Sequence, residues 1–266
     1  MPRRVEAEQP ESWAVRIALG VPTGWDNGSV RGTEYTDWLI EHCERCALEG
    51  PHGHPLTAPA FQVDQRDLEQ LRQGVRRGLI ELLPNGRFNT VDRPRPEGHW
   101  ALLSFYGKQT ILNGEYIPQL ACYVDLIARL GYDPRRVLFE PGDSGCRLDH
   151  AVLDDTGHAV IVGEAKVDPA QPHDLAVRVT ARYSAAPTGP VDRPARKGRE
   201  HEAWKLADAL WKMRPDYLWL VAPGKRQAYA LRFDPLALTR VDDLPTASEL
   251  GLTRVPPDML TPAAHN

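Results

Sequence analysis

The residues best suited to carry chemistry are Asp149, Glu164 and Lys166, near the middle of a chain of 266 residues. They lie in two β-prone runs, RLDHAVLDD and HAVIVGEAKV, which are separated by a turn signal of the type Asp-Thr-Gly. Two such runs around a short turn predict a β-hairpin. The three charged side chains therefore belong to one small structural unit.

The turn decides whether the two carboxylates share a face of the hairpin. A two-residue turn at Thr156-Gly157 places Asp149 directly opposite Glu164, and a turn one residue earlier makes the two residues diagonal neighbours. In both cases they share a face, and Lys166 joins them because side chains alternate with a period of two. A three-residue loop would instead put the two carboxylates on opposite faces.

Three charged groups on one face of apolar strands are costly unless something compensates them. Two neighbouring carboxylates favour a hard cation such as Mg²⁺ or Mn²⁺, which can polarise a phosphoryl oxygen and activate water. The Lys166 ammonium would orient that water or stabilise negative charge on phosphorus. The structural alternative is a cross-strand ion pair on a solvent-facing sheet, which would explain one charged pair better than it explains all three residues.

Asp149, fourteen residues, and then Glu164-Ala165-Lys166 on the second strand of a hairpin resemble the PD-(D/E)XK nuclease superfamily. The stretch NGEYIPQLACYVDLIARLGYDPRRVLFEPGDSGCRLDHAVLDDTGHAVIVGEAKVD is similar in particular to the endonuclease domains at the N-terminus of type I restriction motor subunits. The resemblance covers roughly residues 113–168, with weaker agreement to about 223. It departs from the pattern at Leu148, where the family often has Pro.

The resemblance implies a role for each matched residue. Asp149 and Glu164 would hold the metal ion and Lys166 would act in catalysis. Glu115 occupies the position of the carboxylate on the first core helix, so it would complete both the metal site and the catalytic group. Pro118 disturbs the first turn of that helix, and Glu140 is a competing candidate for the third carboxylate.

The same resemblance suggests two phosphate contacts. Gln119 lies one turn after Glu115, and Lys205 lies on a second helix that borders the active site in the resembling nucleases. His201, Lys205 and Asp208 share a face of that helix. An ion pair between Lys205 and Asp208 on a solvated face is the favoured alternative for Lys205.

The order of elements predicts an α/β fold, with a mixed central sheet flanked by helices in a restriction endonuclease-like core. We expect a small N-terminal accessory region at 1–98, the nuclease domain at 99–240, and a Pro-rich C-terminal tail at 241–266. Within the core, 168–198 is rich in Pro, Ala and Arg and is predicted to be a long surface loop. Apolar periodicity predicts the helices and β-branched runs predict the strands. The expected helices are 34–48, 67–77, 113–130 and 200–213, and the expected strands are 135–141, 147–155, 158–167, 217–223 and 228–233.

The N-terminal region allows two interpretations. The helix at 67–77 is followed by a hairpin around Pro84-Asn85-Gly86, which is typical of a winged helix that would present Arg72, Arg76 and Arg77 to DNA. A small cap on the main domain is the favoured alternative.

Cys43 and Cys46 form a CxxC motif, with His52 and His54 just beyond it. These four residues have the ligand types of a zinc site, but the second half-site lacks a usual spacing. Two half-buried cysteines on a helix are the favoured interpretation, and zinc binding stays open.

The formal net charge of −4 argues mildly against a protein that coats DNA without specificity. No apolar run approaches the length of a membrane helix, and no apolar segment follows the basic start, so a cytoplasmic protein without membrane contact is expected. No GxxxxGK[ST] loop is present, so a motor would come from a partner protein.

The expected function is that of a Mg²⁺-dependent endodeoxyribonuclease in bacterial restriction or phage defence. DNA is the expected partner, and a homodimer is compatible with cutting two strands. One alternative is a catalytically silent nucleic-acid-binding or assembly subunit on the same fold. Another is a DNA-binding regulator that acts through residues 1–98.

Overall fold

The computed structural model describes residues 34–50, 53–57, 63–141, 148–184, 193–195 and 198–252. The helices are α1 (Glu34–Glu49), α2 (Gln65–Arg76), α3 (Tyr116–Ala128), α4 (Gln171–Ser184) and α5 (Arg199–Met213). The strands are β1 (Leu56–Thr57), β2 (Ile80–Leu82), β3 (Arg87–Thr90), β4 (Trp100–Ala101), β5 (Leu103–Tyr106), β6 (Gln109–Leu112), β7 (Val137–Phe139), β8 (His150–Leu153), β9 (Ala159–Ala165), β10 (Tyr217–Ala222), β11 (Lys225–Arg232) and β12 (Ala237–Val241).

A six-stranded sheet in the order β12-β11-β10-β9-β8-β7 forms the centre of the fold. Strands β9 and β10 are parallel, and the other neighbours pair antiparallel. The parallel pair needs a crossover, which α4 and α5 supply. The expected α/β class with a mixed sheet and flanking helices is confirmed.

Each face of the sheet contributes to a different core. Ile161 and Ala165 of β9 pack with α3 and with Trp219 of β10. Val162, between them in sequence, packs with residues of α4 and α5. This alternation follows from the two-residue period of a strand. The central sheet is therefore held between two layers of helices.

The hairpin of β8 and β9 closes through a three-residue loop, because the Asp154 N–H donates to the His158 carbonyl at 2.9 Å. Such a loop was expected to separate the two carboxylates. A β-bulge next to Val152 prevents this, since one extra residue on β9 restores the register and pairs His150 with Gly163. The two-residue turns considered from the sequence are therefore wrong, but the face that they predicted is retained.

The prediction of a loop at 168–198 is wrong for its first half, which forms α4. Leu175, Ala176 and Val179 form a buried stripe at helical spacing, and Asp174 pairs with Arg178 one turn later at 2.8 Å. The Pro, Ala and Arg content of this segment obscured the helical periodicity of its apolar residues. Pro172 lies in the first turn of the helix, where a missing N–H does no harm.

Some predicted details also differ at the ends of elements. Helix α3 begins at Tyr116 rather than at 113, and the side chain of Asn113 donates to the Ala101 carbonyl and to Ser104 Oγ. Strands β1, β4, β5, β6 and β12 were not predicted. Residues 241–252, within the predicted tail, pack against the end of α3: Leu244 and Ala247 are buried, and the Tyr132 hydroxyl donates to the Pro245 carbonyl at 2.6 Å.

The described N-terminal elements pack directly onto the core. The absence of a side chain at Gly74 lets α2 lie against α3, since a Cβ there would come within 2.3 Å of Val124. Strands β3 and β4 pair across position 98, where the domain boundary was predicted. Side chains from both sides of position 98 pack into one core. The division into 1–98, 99–240 and 241–266 stays a prediction.

A buried ion pair joins α2 to the central sheet. Asp67 is fully buried, accepts from the Gly224 N–H at 3.2 Å, and pairs with Arg226, which is 12% exposed. Both residues are largely shielded from water, so removal of the guanidinium would leave a buried carboxylate without its counter-charge.

We predict that Arg226→Ala lowers the free energy of unfolding by about 3 to 5 kcal/mol, as for other broken buried pairs. Urea denaturation checks this, with the exposed Arg232→Ala on the same strand as a matched control that changes stability by less than about 0.5 kcal/mol. Equal denaturation midpoints for the two variants would contradict the structural role of the pair.

Candidate active site

Three acidic residues lie side by side at one end of β7, β8 and β9. The Glu140 N–H donates to the Asp149 carbonyl at 2.8 Å, and the Asp149 N–H donates to the Gly163 carbonyl at 3.0 Å. The pairing of His150 with Gly163, extended by one residue, brings Asp149 beside Glu164. The sheet itself thus fixes the spacing of Glu140, Asp149 and Glu164.

The predicted residues Asp149, Glu164 and Lys166 are brought together. Lys166 Nζ donates to Glu164 Oε1 at 2.5 Å, and an Asp149 oxygen accepts from the Ala165 N–H at 2.5 Å. The side chains of Glu164 and Lys166 are only 12% and 17% exposed. Neither belongs to a solvent-facing surface pair, so the structural alternative weighed from the sequence loses its main premise.

The electrostatics of this group are dominated by burial and by like charge. Burial and the Glu164 carboxylate raise the pKa of Asp149 well above its usual range, although the Ala165 N–H and Lys166 oppose the shift. Burial also raises the pKa of Glu164, against the attraction of Lys166. Burial disfavours the Lys166 ammonium, yet Glu164 and Asp149 outweigh it and raise the pKa of that lysine. One ammonium therefore does not compensate both carboxylates.

Glu140 sits at the other side of Asp149, near the N-terminal end of α3. Burial raises the pKa of Glu140, while hydrogen bonds to Trp100, Tyr116 and Gln119 lower it. Its backbone has φ of 44°, a left-handed conformation that non-glycine residues seldom adopt. A strained residue surrounded by donors and next to Asp149 is typical of a functional position.

Glu115, the third carboxylate implied by the resemblance, lies exposed at the N-terminal end of α3. Its charge raises the pKa values of Tyr116 and Glu140, so it belongs to the same neighbourhood. Glu140, however, is directly hydrogen-bonded through its backbone to Asp149 and is half-buried. Glu140 is therefore better placed than Glu115 to complete a group with Asp149.

The two predicted phosphate contacts differ in accessibility. Gln119 is only 3% exposed, and it bonds to Glu140 through its side chain and to His150 Nε2 through its carbonyl at 2.8 Å. It therefore acts on the site through Glu140. Lys205 is 34% exposed, and its charge reaches Glu164.

The prediction of an ion pair between Lys205 and Asp208 is wrong. Lys205 instead contacts Glu202, one turn earlier, at 3.2 Å, and Asp208 pairs with Lys212 at 2.6 Å. Glu202 also lies 3.8 Å from Lys166 Nζ. Glu202 thus links Lys205 to Lys166, beside the acidic residues of the site.

The donor set of the site suits a divalent metal ion. Asp149 and Glu164 supply adjacent carboxylate oxygens with excess negative charge, which is the chemistry that Mg²⁺ and Mn²⁺ favour. Among the residues that the structure describes, however, no group of three or more His, Cys, Asp or Glu side chains is arranged to hold a metal ion. Each carboxylate is instead turned to a donor of the protein, the Ala165 N–H or Lys166.

The candidate zinc residues lie on and beyond α1. Cys43 and Cys46 are buried free thiols, and burial raises the pKa of each. His42 Nε2 lies 3.4 Å from Cys46 Sγ. His52 falls outside the described residues, and no described side chain supplies a metal site here. The thiols contribute to the core of α1.

Sequence reasoning missed the residues that hold Glu140. Tyr116 begins α3 beside Glu115, and burial together with Glu140 raises the pKa of its phenol well above the usual value. Trp100, which also bonds to Glu140, was not singled out from the sequence either. Both are aromatic residues with a polar atom, which normally finds a partner when buried. That rule could have identified them only once Glu140 was known to lie nearby.

No protein-family model, no curated protein and no solved structure matches this chain. Over the described residues, no helix combines the length and apolar character needed to cross a membrane.

We predict that Asp149→Asn does not destabilise the metal-free protein and raises its thermal midpoint at alkaline pH. The raised pKa means that the protonated carboxyl favours the folded state; this contribution is complete below about pH 4 and is lost as the pH rises through the folded-state pKa. Above that pH the variant lacks the repulsion, and each kcal/mol relieved corresponds to about 2 to 4 °C. Thermal melts at several pH values check this, and a midpoint well below wild type throughout would contradict it.

Proposed function

We propose that this protein is a metal-dependent endonuclease that hydrolyses phosphodiester bonds, with DNA as its substrate. The observation that carries the proposal is the buried Asp149–Glu164 pair with Lys166 beside it. A protein core has no structural use for two like charges with one counter-charge, since such a group costs stability. Hydrolysis of a phosphodiester, in contrast, uses all three.

Asp149 and Glu164 would hold Mg²⁺ or Mn²⁺, with Glu140 as the third carboxylate and Glu115 as its competitor. When bound, such an ion lowers the pKa of water and polarises a phosphoryl oxygen. The chain's own residues supply the rest of the arrangement. Tyr116, Trp100 and Gln119 orient Glu140, and the Ala165 N–H orients Asp149.

Lys166 serves as a positive charge rather than as a base. Although burial disfavours its ammonium, Glu164 and Asp149 raise its pKa, which favours the protonated side chain in the metal-free protein. A protonated amine cannot accept a proton from water. It can stabilise the negative charge that develops on the phosphoryl oxygens, in a site where that interaction is strengthened by exclusion of water.

The arrangement of elements also supports the proposal. An acidic hairpin, β8 and β9, precedes two helices and a strand, β10, that pairs parallel with β9. This is compatible with the restriction endonuclease-like core that the motif suggests. A role in bacterial restriction or phage defence, a homodimer, and a partner that supplies a motor or target recognition extend the same resemblance.

Cleavage of supercoiled and linear DNA with Mg²⁺ or Mn²⁺ tests the proposal. We predict that Asp149→Asn, Glu164→Gln and Lys166→Gln each lower the rate at least about 100-fold, as expected when a group that stabilises the transition state is removed. Matched controls are Asp155→Asn on the loop of the same hairpin and Lys225→Gln at the start of β11, which should cut like wild type.

Two outcomes would contradict this assignment. Equal cleavage by wild type and the three site variants would place the activity elsewhere, and absence of cleavage by wild type with both metals would favour the silent binding subunit.

A comparison of Glu140→Gln with Glu115→Gln identifies the third carboxylate. We expect the larger decrease in cleavage rate for Glu140→Gln, because the backbone of Glu140 is bonded to that of Asp149.

A further inference from the structure

The segment 92–99, where a domain boundary was expected, is held in one conformation by side chains of the β2–β3 hairpin. Asn89, only 3% exposed, donates to the Arg95 carbonyl at 2.8 Å and accepts from the backbone N–H groups of Arg95 and His99 at 3.2 and 2.9 Å. Arg87 donates to the carbonyls of Gly98 and His99 at 3.0 and 2.8 Å. A backbone bonded this densely is an ordered loop, and it fixes where its side chains point.

The beginning of the loop is anchored to the nuclease core. Asp92 is 3% exposed and accepts from the Tyr123 hydroxyl at 2.9 Å and from the Phe139 N–H at 3.3 Å. Phe139 is the last residue of β7 and immediately precedes Glu140. Because Phe139 is bonded to Asp92 and is followed by Glu140, the loop is directly connected to the acidic row, which consists of Glu140, Asp149 and Glu164.

The loop forms one wall of an open cavity that ends at Glu140. The cavity has a volume of about 680 Å³ and is lined by 92–95, His99, Trp100 and Glu140. This volume lies within the range of about 300 to 1,000 Å³ that is typical of ligand sites. Glu97, the other acidic residue of the loop, is not part of the lining.

Positive charge converges on this cavity. Arg95 is exposed, and Arg93 is 24% exposed with its Nε 3.9 Å from Asp92. Burial together with the charges of Arg95, Arg93 and Arg87 lowers the pKa of His99, and Arg93 and Arg95 themselves line the cavity. The oxygens of Asp92 accept from the Tyr123 hydroxyl and the Phe139 N–H, whereas Arg95 lies exposed at the cavity.

We infer that the loop 92–99 binds a backbone phosphate of the DNA strand next to the bond that is cut, through Arg93 and Arg95. Guanidinium groups recognise phosphate oxygens by paired hydrogen bonds, and a loop that is already ordered loses little entropy on binding. His99, packed against Trp100 with ring centroids 4.2 Å apart, closes the same wall. This inference rests on the proposed function, because it assigns the strand's path to the Glu140 end of the acidic row.

The test measures binding rather than cleavage, so that it does not depend on catalysis. Fluorescence anisotropy follows labelled single-stranded and duplex DNA, and RNA of the same sequence, on full-length Asp149→Asn protein over a range of salt concentrations. The added changes are Arg93→Gln with Arg95→Gln, Arg95→Gln alone, and the control Arg232→Gln. Arg76→Gln with Arg77→Gln examines the competing winged-helix surface on α2, and thermal melts verify that each variant folds.

The inference predicts about tenfold or greater weakening in the double loop variant. The slope of log K against log salt should become shallower by about 0.7 to 0.9 for each phosphate that the variant no longer neutralises. Arg95 is exposed, so the Arg95→Gln variant should fold normally, and it should weaken binding by a smaller factor than the double variant. The Arg232→Gln variant and the α2 variant should bind DNA with unchanged affinity.

Unchanged affinity in both loop variants would overturn the inference, as would failure of every nucleic acid to bind at low salt. Weaker binding only in the α2 variant would move the site to that helix and also overturn it. Tighter binding of RNA than of DNA would overturn the assignment of DNA as the ligand. Cleavage by wild type together with unchanged binding in the loop variants would leave the proposed function standing and remove this inference alone.

Discussion

The repulsion between Asp149 and Glu164 is the constraint around which the rest of the site is organised. Both carboxylates are held in a largely buried position by strand pairing, so neither can move far from the other. Lys166 supplies one positive charge, yet burial and the Glu164 carboxylate raise the pKa of Asp149, and burial raises the pKa of Glu164. The site is thus prepared to accept further positive charge.

Several features of the fold serve mainly to keep this arrangement in place. The bulge beside Val152 corrects the register after a three-residue loop, so both acids project from one face. Strand β10 pairs with β9 and accepts the Lys166 N–H at 2.8 Å through the Val221 carbonyl. On the other side of Asp149, the end of β7 leads into Glu140. The positions of Glu140, Asp149 and Glu164 therefore depend on backbone hydrogen bonds between neighbouring strands rather than on flexible side chains.

The hairpin and its charged face were predictable because alternation in a strand has a fixed period. Spacing alone places Glu164 and Lys166 on one face, whereas the position of Asp149 also depended on the turn. The closing loop could not be predicted, since a three-residue loop with a bulge and a two-residue turn without one give the same face. Glu140 was only a competitor in the sequence because its position depends on the pairing of β7 with β8, which is a long-range contact.

Composition misled the interpretation of the sequence in two places. The Pro and Arg residues of 168–198 concealed α4, although Leu175 and Val179 recur at helical spacing. The Pro-rich, polar composition of 91–99 suggested a domain boundary, but hydrogen bonds from Asn89 and Arg87 make this segment an ordered loop. For α4 the deciding signal was a periodicity already present in the sequence. For 91–99 it was a set of side-chain hydrogen bonds to the backbone, which composition does not report.

Calorimetric titration of Mn²⁺ into wild type and Asp149→Asn at pH 6 and pH 8 tests the central claim most directly. Because a metal ion competes with protons for carboxylates of raised pKa, wild type should bind more tightly at pH 8 and release more protons at pH 6. Buffers of different ionisation enthalpy measure that release, and Asp149→Asn should lose most of the binding. Absence of Mn²⁺ binding by wild type, or equal binding by the variant, would contradict the account.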